Sequence, residues 1–232
     1  MESATGAEPH SERRTLPEPG GQQPDRWSRP SMASPAWPFI RQGGWLSIAA
    51  GALILIAQIA MWTFDQRLNL ETSQNPVFIA AKIIYLAGFI VLMFALIAVQ
   101  GLQAPMAGRL GAAAFALAIV GTMMLGGDLW FESFVVPWWA AGPGAQGLTA
   151  DPSLIMALGA LVSYFLFAAG WTLFGIASVR ARVFPWPIAI AIIIGGIAGY
   201  WALLAPGGIP LGIALVLLGI WIMRTTARRT AS

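Results

Sequence analysis

The chain has no cysteine, a single histidine, a single lysine and only ten acidic residues in 232. Each shortage removes a class of chemistry. Without cysteine there are no disulfides, no thiol catalysis, no Fe–S clusters and no thiolate zinc sites. His10 sits in a polar N-terminal stretch, so the apolar remainder cannot build a bis-His haem, a His-based zinc protease centre or a Ser-His dyad. Charge is scarce as well: 10% of residues are Asp, Glu, Lys or Arg, against 57% that are apolar. That proportion exceeds what a water-soluble domain of this length can cover with polar surface.

What the chain does have is six apolar runs, at about 44–64, 77–100, 110–130, 153–179, 187–205 and 209–223. Runs of about 20 apolar residues match the hydrocarbon thickness of a bilayer. The expected fold is therefore an all-α integral membrane protein, a six-transmembrane-helix bundle over residues 44–224. Residues 1–43 carry seven prolines and no apolar periodicity, the composition of a disordered tail. Residues 225–232 form a second, short tail. The sixth run is the shortest, with about fourteen residues between Pro210 and Arg224.

The charges alternate with these runs. Eleven of the thirteen basic residues fall in alternate segments: five Arg in the N-terminal tail, then Arg109, then Arg180 and Arg182, then Arg224, Arg228 and Arg229. The intervening segments hold Asp65, Glu71, Asp128, Glu132 and Asp151, with only Arg67 and Lys82 against them. Basic residues beside spans remain on the cytoplasmic side, which predicts a multi-pass protein of the cell membrane with both termini cytoplasmic. The net charge of +3 is spread over these short segments and forms no single basic stripe, so nucleic acid is not an expected partner.

Local signals mark the helix ends. Asn75 followed by Pro76 pairs a capping residue with a proline at the first helical position, and Asp151–Pro152 repeats the pattern before the fourth run. Pro137 is expected to stop the third helix. Trp45 and Trp62 suit the two interfaces of the first span. Gly195 and Gly199, four apart, offer a surface for close helix packing, although glycine is frequent in membrane helices generally.

One group of residues could carry chemistry. Asp128 and Glu132 are four apart and share a helix face, about 6 Å from each other. Helix arithmetic from Pro76 puts Lys82 at a similar depth on the second helix, and Asp65 ends the first helix at the same level. These four are the candidate proton, cation or ion-pair site, because two carboxylates on one poorly hydrated face repel when both are ionised. Gln58, Tyr85, Thr122, Tyr164 and Tyr200 are candidates to line a small polar cavity behind it. A plainer reading has Lys82 snorkelling to the interface, the acids marking an amphipathic helix end, and the polar side chains acting as interhelical glue.

The expected function is a small transporter or permease-like protein with an outward-facing acidic site. The alternative is a non-catalytic accessory subunit that docks a protein partner through its tail or through the loop at 137–152. An enzyme is the less favoured class, for want of acid-base groups. No cofactor and no metal is expected, and the lipid bilayer is the one general partner.

Overall fold

The computed structural model describes residues 37–64, 69–149 and 153–230, with the side chains of 37–41, 143–144, 149 and 228–230 left aside. Most of the predicted tail, together with Asp65, Asp151 and Pro152, therefore lies outside the described residues. Within them, all regular structure is helical: α1 (Trp37–Met61), α2 (Leu70–Gln74), α3 (Pro76–Trp130), a π-helical turn (Phe131–Val135), α4 (Val136–Ala140), a 3-10 segment (Pro143–Thr149), α5 (Leu154–Ala181), α6 (Trp186–Ala198), a 3-10 turn (Gly199–Trp201) and α7 (Ile209–Thr230).

Four helical stretches are long and apolar enough to cross a membrane: Gln42–Met61, Pro76–Ala140, Leu154–Ala181 and Ile209–Ala227. The second cannot be one straight crossing, since α3 alone has 55 residues and would extend about 80 Å. It folds back at Gly108, which has φ 57° and ψ −150°, a backbone conformation open to glycine and denied to residues with a Cβ. Pro105, three residues earlier, removes one backbone donor from the ladder. The product is a helical hairpin with arms 76–107 and 109–130. α6 is shorter than the predicted run at 187–205, ending at Ala198 before a 3-10 turn. α1 starts earlier than the first run and α7 continues past the sixth.

Successive helices pack antiparallel and the last closes on the first. Gly88 lies against Leu53 and Ile54, joining α1 to the first arm of α3; Gly121 lies against Leu166 and Phe167, joining the second arm to α5. Gly196 meets Trp171 and Thr172 across α5 and α6, Gly195 meets Leu211 across α6 and α7, and Gly219 meets Gly44 and Ile48 across α7 and α1. Lipid tails are as apolar as leucine, so helices in a bilayer gain by close van der Waals contact, which small residues allow. At Gly121 the approach is tight enough that a Cβ would lie 2.4 Å from the Phe167 nitrogen. The space inside the ring of helices is filled by aromatic side chains. Tyr85, Phe89, Phe167, Trp171 and Phe174 are all fully buried, and successive ring centroids are 5.1, 5.4, 6.3 and 5.9 Å apart.

Two helix ends follow the expected chemistry, one of them with a different residue. Asn75 Oδ1 accepts from the backbone N–H groups of Val77 and Phe78, satisfying donors that the first turn leaves free. α5 opens on Ser153, whose Oγ accepts from the Met156 N–H. Pro137 does not end the third helix. It cannot donate to the carbonyl four residues back, and the chain absorbs this by widening the preceding turn into a π-helix, in which the Val136 N–H reaches the Phe131 carbonyl. Helical geometry then resumes in α4, with Pro137 in its first turn.

Candidate functional site

The antiparallel arms bring the acidic residues and the lysine to one end of the bundle. Arg109, Arg180, Arg182 and Arg224 stand at the other end, near the fold at Gly108 and the ends of α5 and α7. At the acidic end, Lys82 Nζ on the first arm of α3 and Glu132 Oε2 in the π turn that follows the second arm form an ion pair. Lys82 is 6% exposed, so its ammonium is enclosed at the pair and does not snorkel to a headgroup. The Phe78 ring lies 5.4 Å from the same nitrogen, a weak additional attraction. Glu132 belongs to the π turn, and that turn gives it a place next to Lys82.

Around the pair is a cavity of about 50 Å³ lined by Lys82, Glu132, Thr72, Ser73, Phe78 and Tyr164, among others. That is room for one or two water molecules. Its roof comes from the segments outside the bundle. α2 is capped by Asn69 Oδ1, which accepts from the Thr72 N–H, and Gln74 Nε2 donates to the Ala140 carbonyl, tying α2 to α4.

Asp128 lies one turn before Glu132 and borders a second, larger cleft of about 380 Å³ with Glu132, Phe131, Val136, Met156, Gly159, Ala160 and Tyr164. Its Oδ2 is shut off from solvent and has no hydrogen-bond partner among the described residues. Ser163 interacts with the Asp128 carboxyl, while its hydroxyl also donates to the Gly159 carbonyl at 3.0 Å. Glu132, Val136 and Tyr164 border both spaces and form the wall between them. Lys82 pairs with one of these two acids, Glu132, and leaves Asp128 without a basic partner among the described residues.

The other predicted residues fall elsewhere. Gln58 is fully buried and clamps the connection between α6 and α7: its Nε2 donates to the Ala202 carbonyl at 2.8 Å and its Oε1 accepts from the Gly208 N–H at 3.2 Å. The Tyr85 hydroxyl donates to the same Ala202 carbonyl at 2.6 Å. Thr122 donates to the Ala118 carbonyl and accepts from the Trp171 indole N–H at 3.1 Å. These three hold helices together within the packed interior. Tyr164 borders the two spaces described above, and its ring meets that of Tyr200 at a centroid distance of 6.3 Å beside a separate cleft of about 290 Å³. Gly195 is covered by Leu211, and Gly199 faces the Phe167 ring.

Some residues of the site were not among the expectations. Phe131, Met156, Gly159 and Ala160 supply apolar walls, and Thr72 and Ser73 supply the roof. The one sequence signal for the π turn was Pro137 inside a helical pattern. Among the described residues no three Asp, Glu or His side chains gather closely enough to hold a metal ion. Set against known protein families, characterised proteins and solved structures, the chain matches none of them.

Proposed function

We propose that the chain is a six-span cell-membrane protein with both termini cytoplasmic, and that its acidic end is an outward-facing binding site for a proton or monovalent cation that the protein carries across the membrane. In this reading the two arms of α3 are separate spans, and α6 with its 3-10 turn spans at its shorter length. The alternation of arginine with acid along the chain supports the orientation. The observation that carries the reading is the Asp128 carboxyl: one oxygen is buried without a partner, next to a Glu132 already compensated by Lys82. A lone carboxylate oxygen in a low-dielectric setting is costly until it meets a proton, a cation or a donor. The aromatic fill behind the site leaves no open path through the bundle, so movement of a cation requires alternation between two arrangements and not a standing pore.

The test is flux into proteoliposomes loaded with a pH-sensitive dye under an imposed potential. The intact protein dissipates a proton or cation gradient, and Asp128→Asn removes this while reconstituting equally well. Wild-type vesicles no leakier than protein-free ones sink the reading. A second reading, an accessory subunit, draws on the 75% exposure of Trp138 in the 137–152 connection and the 84% exposure of Ile155 at the start of α5. Under that reading, deleting residues 1–36 or replacing Trp138 releases a co-purifying protein.

A further inference from the structure

We infer that the outer leaflet of the bilayer dips into a notch over the connection between α6 and α7, where Tyr164, Tyr200 and Trp201 bond the glycerol-ester region of a phospholipid. The notch follows from unequal helix lengths. α5 has 28 residues, whereas α6 has 13 and is prolonged by a three-residue 3-10 turn. The shorter helix accompanies the longer one only as far as Gly199, which faces the Phe167 ring, and Tyr200, whose ring meets that of Tyr164. The part of α5 before Tyr164, about 15 Å of helix, stands without α6 beside it, and Leu154, Ile155, Leu158, Leu161 and Val162 there are exposed. Against α3 the connection is equally deep: the Tyr85 hydroxyl reaches the Ala202 carbonyl from a residue that lies about 13 Å inside the start of that helix. From Ile209 to the residue before Arg224, α7 rises about 22 Å, less than the hydrocarbon thickness of about 30 Å.

Two features name lipid as the occupant. Ala160 and Leu161 on α5, with Leu203 and Leu204 in the connection, line a cleft of about 290 Å³ that holds the three aromatic residues and no charged side chain. Trp201 and Leu204 carry it into a second cleft, of about 740 Å³, that is continuous with the exposed apolar flank of α6. The aromatic residues also have donors to spare. The two tyrosine hydroxyls and the Trp201 indole N–H make no hydrogen bond among the described residues, and neither hydroxyl is shut off from the surface as Asp128 Oδ2 is. Rings with an apolar body and one polar tip settle where hydrocarbon meets headgroups, and the ester carbonyls there accept from O–H and N–H alike. A bilayer meets a short apolar span by thinning around it. Tyr164, Leu203 and Leu204 also border the cavity that holds Lys82 and Glu132, so the dip brings headgroup water within one layer of side chains of the ion pair. The inference needs only that these helices cross a bilayer; their orientation decides which leaflet dips, and transport does not enter.

Depth-resolved fluorescence quenching tests this, and a chain without cysteine takes a single label directly. Full-length Leu204→Cys carrying a nitrobenzoxadiazole fluorophore, in phosphatidylcholine vesicles, is compared with the same label at Trp62→Cys, exposed at the outer end of α1, and at Ile194→Cys, exposed on α6. The quenchers are a phosphatidylcholine with a nitroxide on its headgroup, one with the nitroxide deep in its acyl chain, and aqueous iodide. The headgroup nitroxide is expected to quench at Leu204 as strongly as at Trp62 and at least about twofold more strongly than the deep nitroxide, with the opposite order at Ile194. Combining Tyr164→Phe, Tyr200→Phe and Trp201→Phe should lower headgroup quenching at Leu204 by about twofold. The melting temperature of each variant in the same vesicles reports whether it is folded, and a label at Ile197→Cys, on the last turn of α6, repeats the measurement where the Leu204 variant is not.

Stronger quenching at Leu204 by the deep nitroxide overturns the dip, because acyl chains then fill the notch under a flat leaflet. Quenching by iodide alone overturns it in favour of a water-filled crevice, and protection from all three quenchers does so in favour of a second copy of the chain. Undiminished headgroup quenching in the triple variant overturns the bonding by the three aromatic residues. Flux into vesicles is read separately, so loss of the dip leaves the cation reading standing and loss of flux leaves the dip.

Discussion

Lys82 and Glu132 stand fifty residues apart in the chain and share one partly buried ion pair. On an unbroken helix that separation is about 75 Å. The contact closes because the chain reverses almost midway between them, at Gly108, so hinge and pair are two ends of one hairpin. The pair latches the arms at the end opposite the turn.

Removing Glu132 leaves the Lys82 ammonium enclosed, whereas removing Lys82 leaves a carboxylate that is 23% exposed. Glu132→Gln is expected to lower the free energy of unfolding by about 3 kcal/mol and Lys82→Met by less, whereas the double substitution Lys82→Met with Glu132→Leu should recover most of the larger loss. Unfolding in mixed detergent micelles measures all three. Additive losses in the double variant would mean that the two side chains act independently.

The Gln58 clamp satisfies backbone groups in a stretch that no helix covers. Gln58→Leu leaves the Gly208 N–H without its acceptor and should cost about 2 kcal/mol, with faster amide exchange across 202–208. Tyr85→Phe should cost less, about 1 kcal/mol, because the Ala202 carbonyl keeps its bond from Gln58. Hydrogen exchange followed by mass spectrometry distinguishes the two variants.

Glycines of this chain divide by what surrounds them. Gly121→Ala pushes a methyl group into the backbone of α5 and is expected to destabilise by about 1–3 kcal/mol. Gly126→Ala, one and a half turns later, meets nothing within 4 Å and should be neutral or stabilising by up to about 1 kcal/mol. Gly108→Ala also meets nothing, yet its positive φ should cost about 1–3 kcal/mol. Thermal unfolding in nanodiscs ranks the three, and a harmless Gly121→Ala would mean that α3 and α5 are not in such close contact.

Orientation has its own test. Alkaline phosphatase fused after Gly144, in the 3-10 segment that follows α4, should be active outside the cell, and a fusion after Arg182 should be inactive. The reverse pattern puts the acidic end in the cytoplasm.

Composition and the length of the apolar runs were enough to read an all-helical chain with helices apolar enough to cross a membrane, because the length of an apolar run and the residues that interrupt it are local properties. Asn75 was legible as a cap for the same reason: its partners are two and three residues away. Pro137 was misread as a stop, since a local rule for the α ladder does not say that a wider turn can absorb the missing donor. Which face of each helix points inward was not legible at all. Helices apolar all round carry no stripe to mark the buried side, and in lipid the choice is made by side-chain fit between neighbours. Tertiary packing alone decided that Lys82 meets Glu132 and that Asp128 is left with an oxygen unpaired. It also put Gln58, Tyr85 and Thr122 into a packed aromatic interior, where their hydrogen bonds hold helices in place. Those outcomes depend on rotations about helix axes, which are set only when all the helices are in contact.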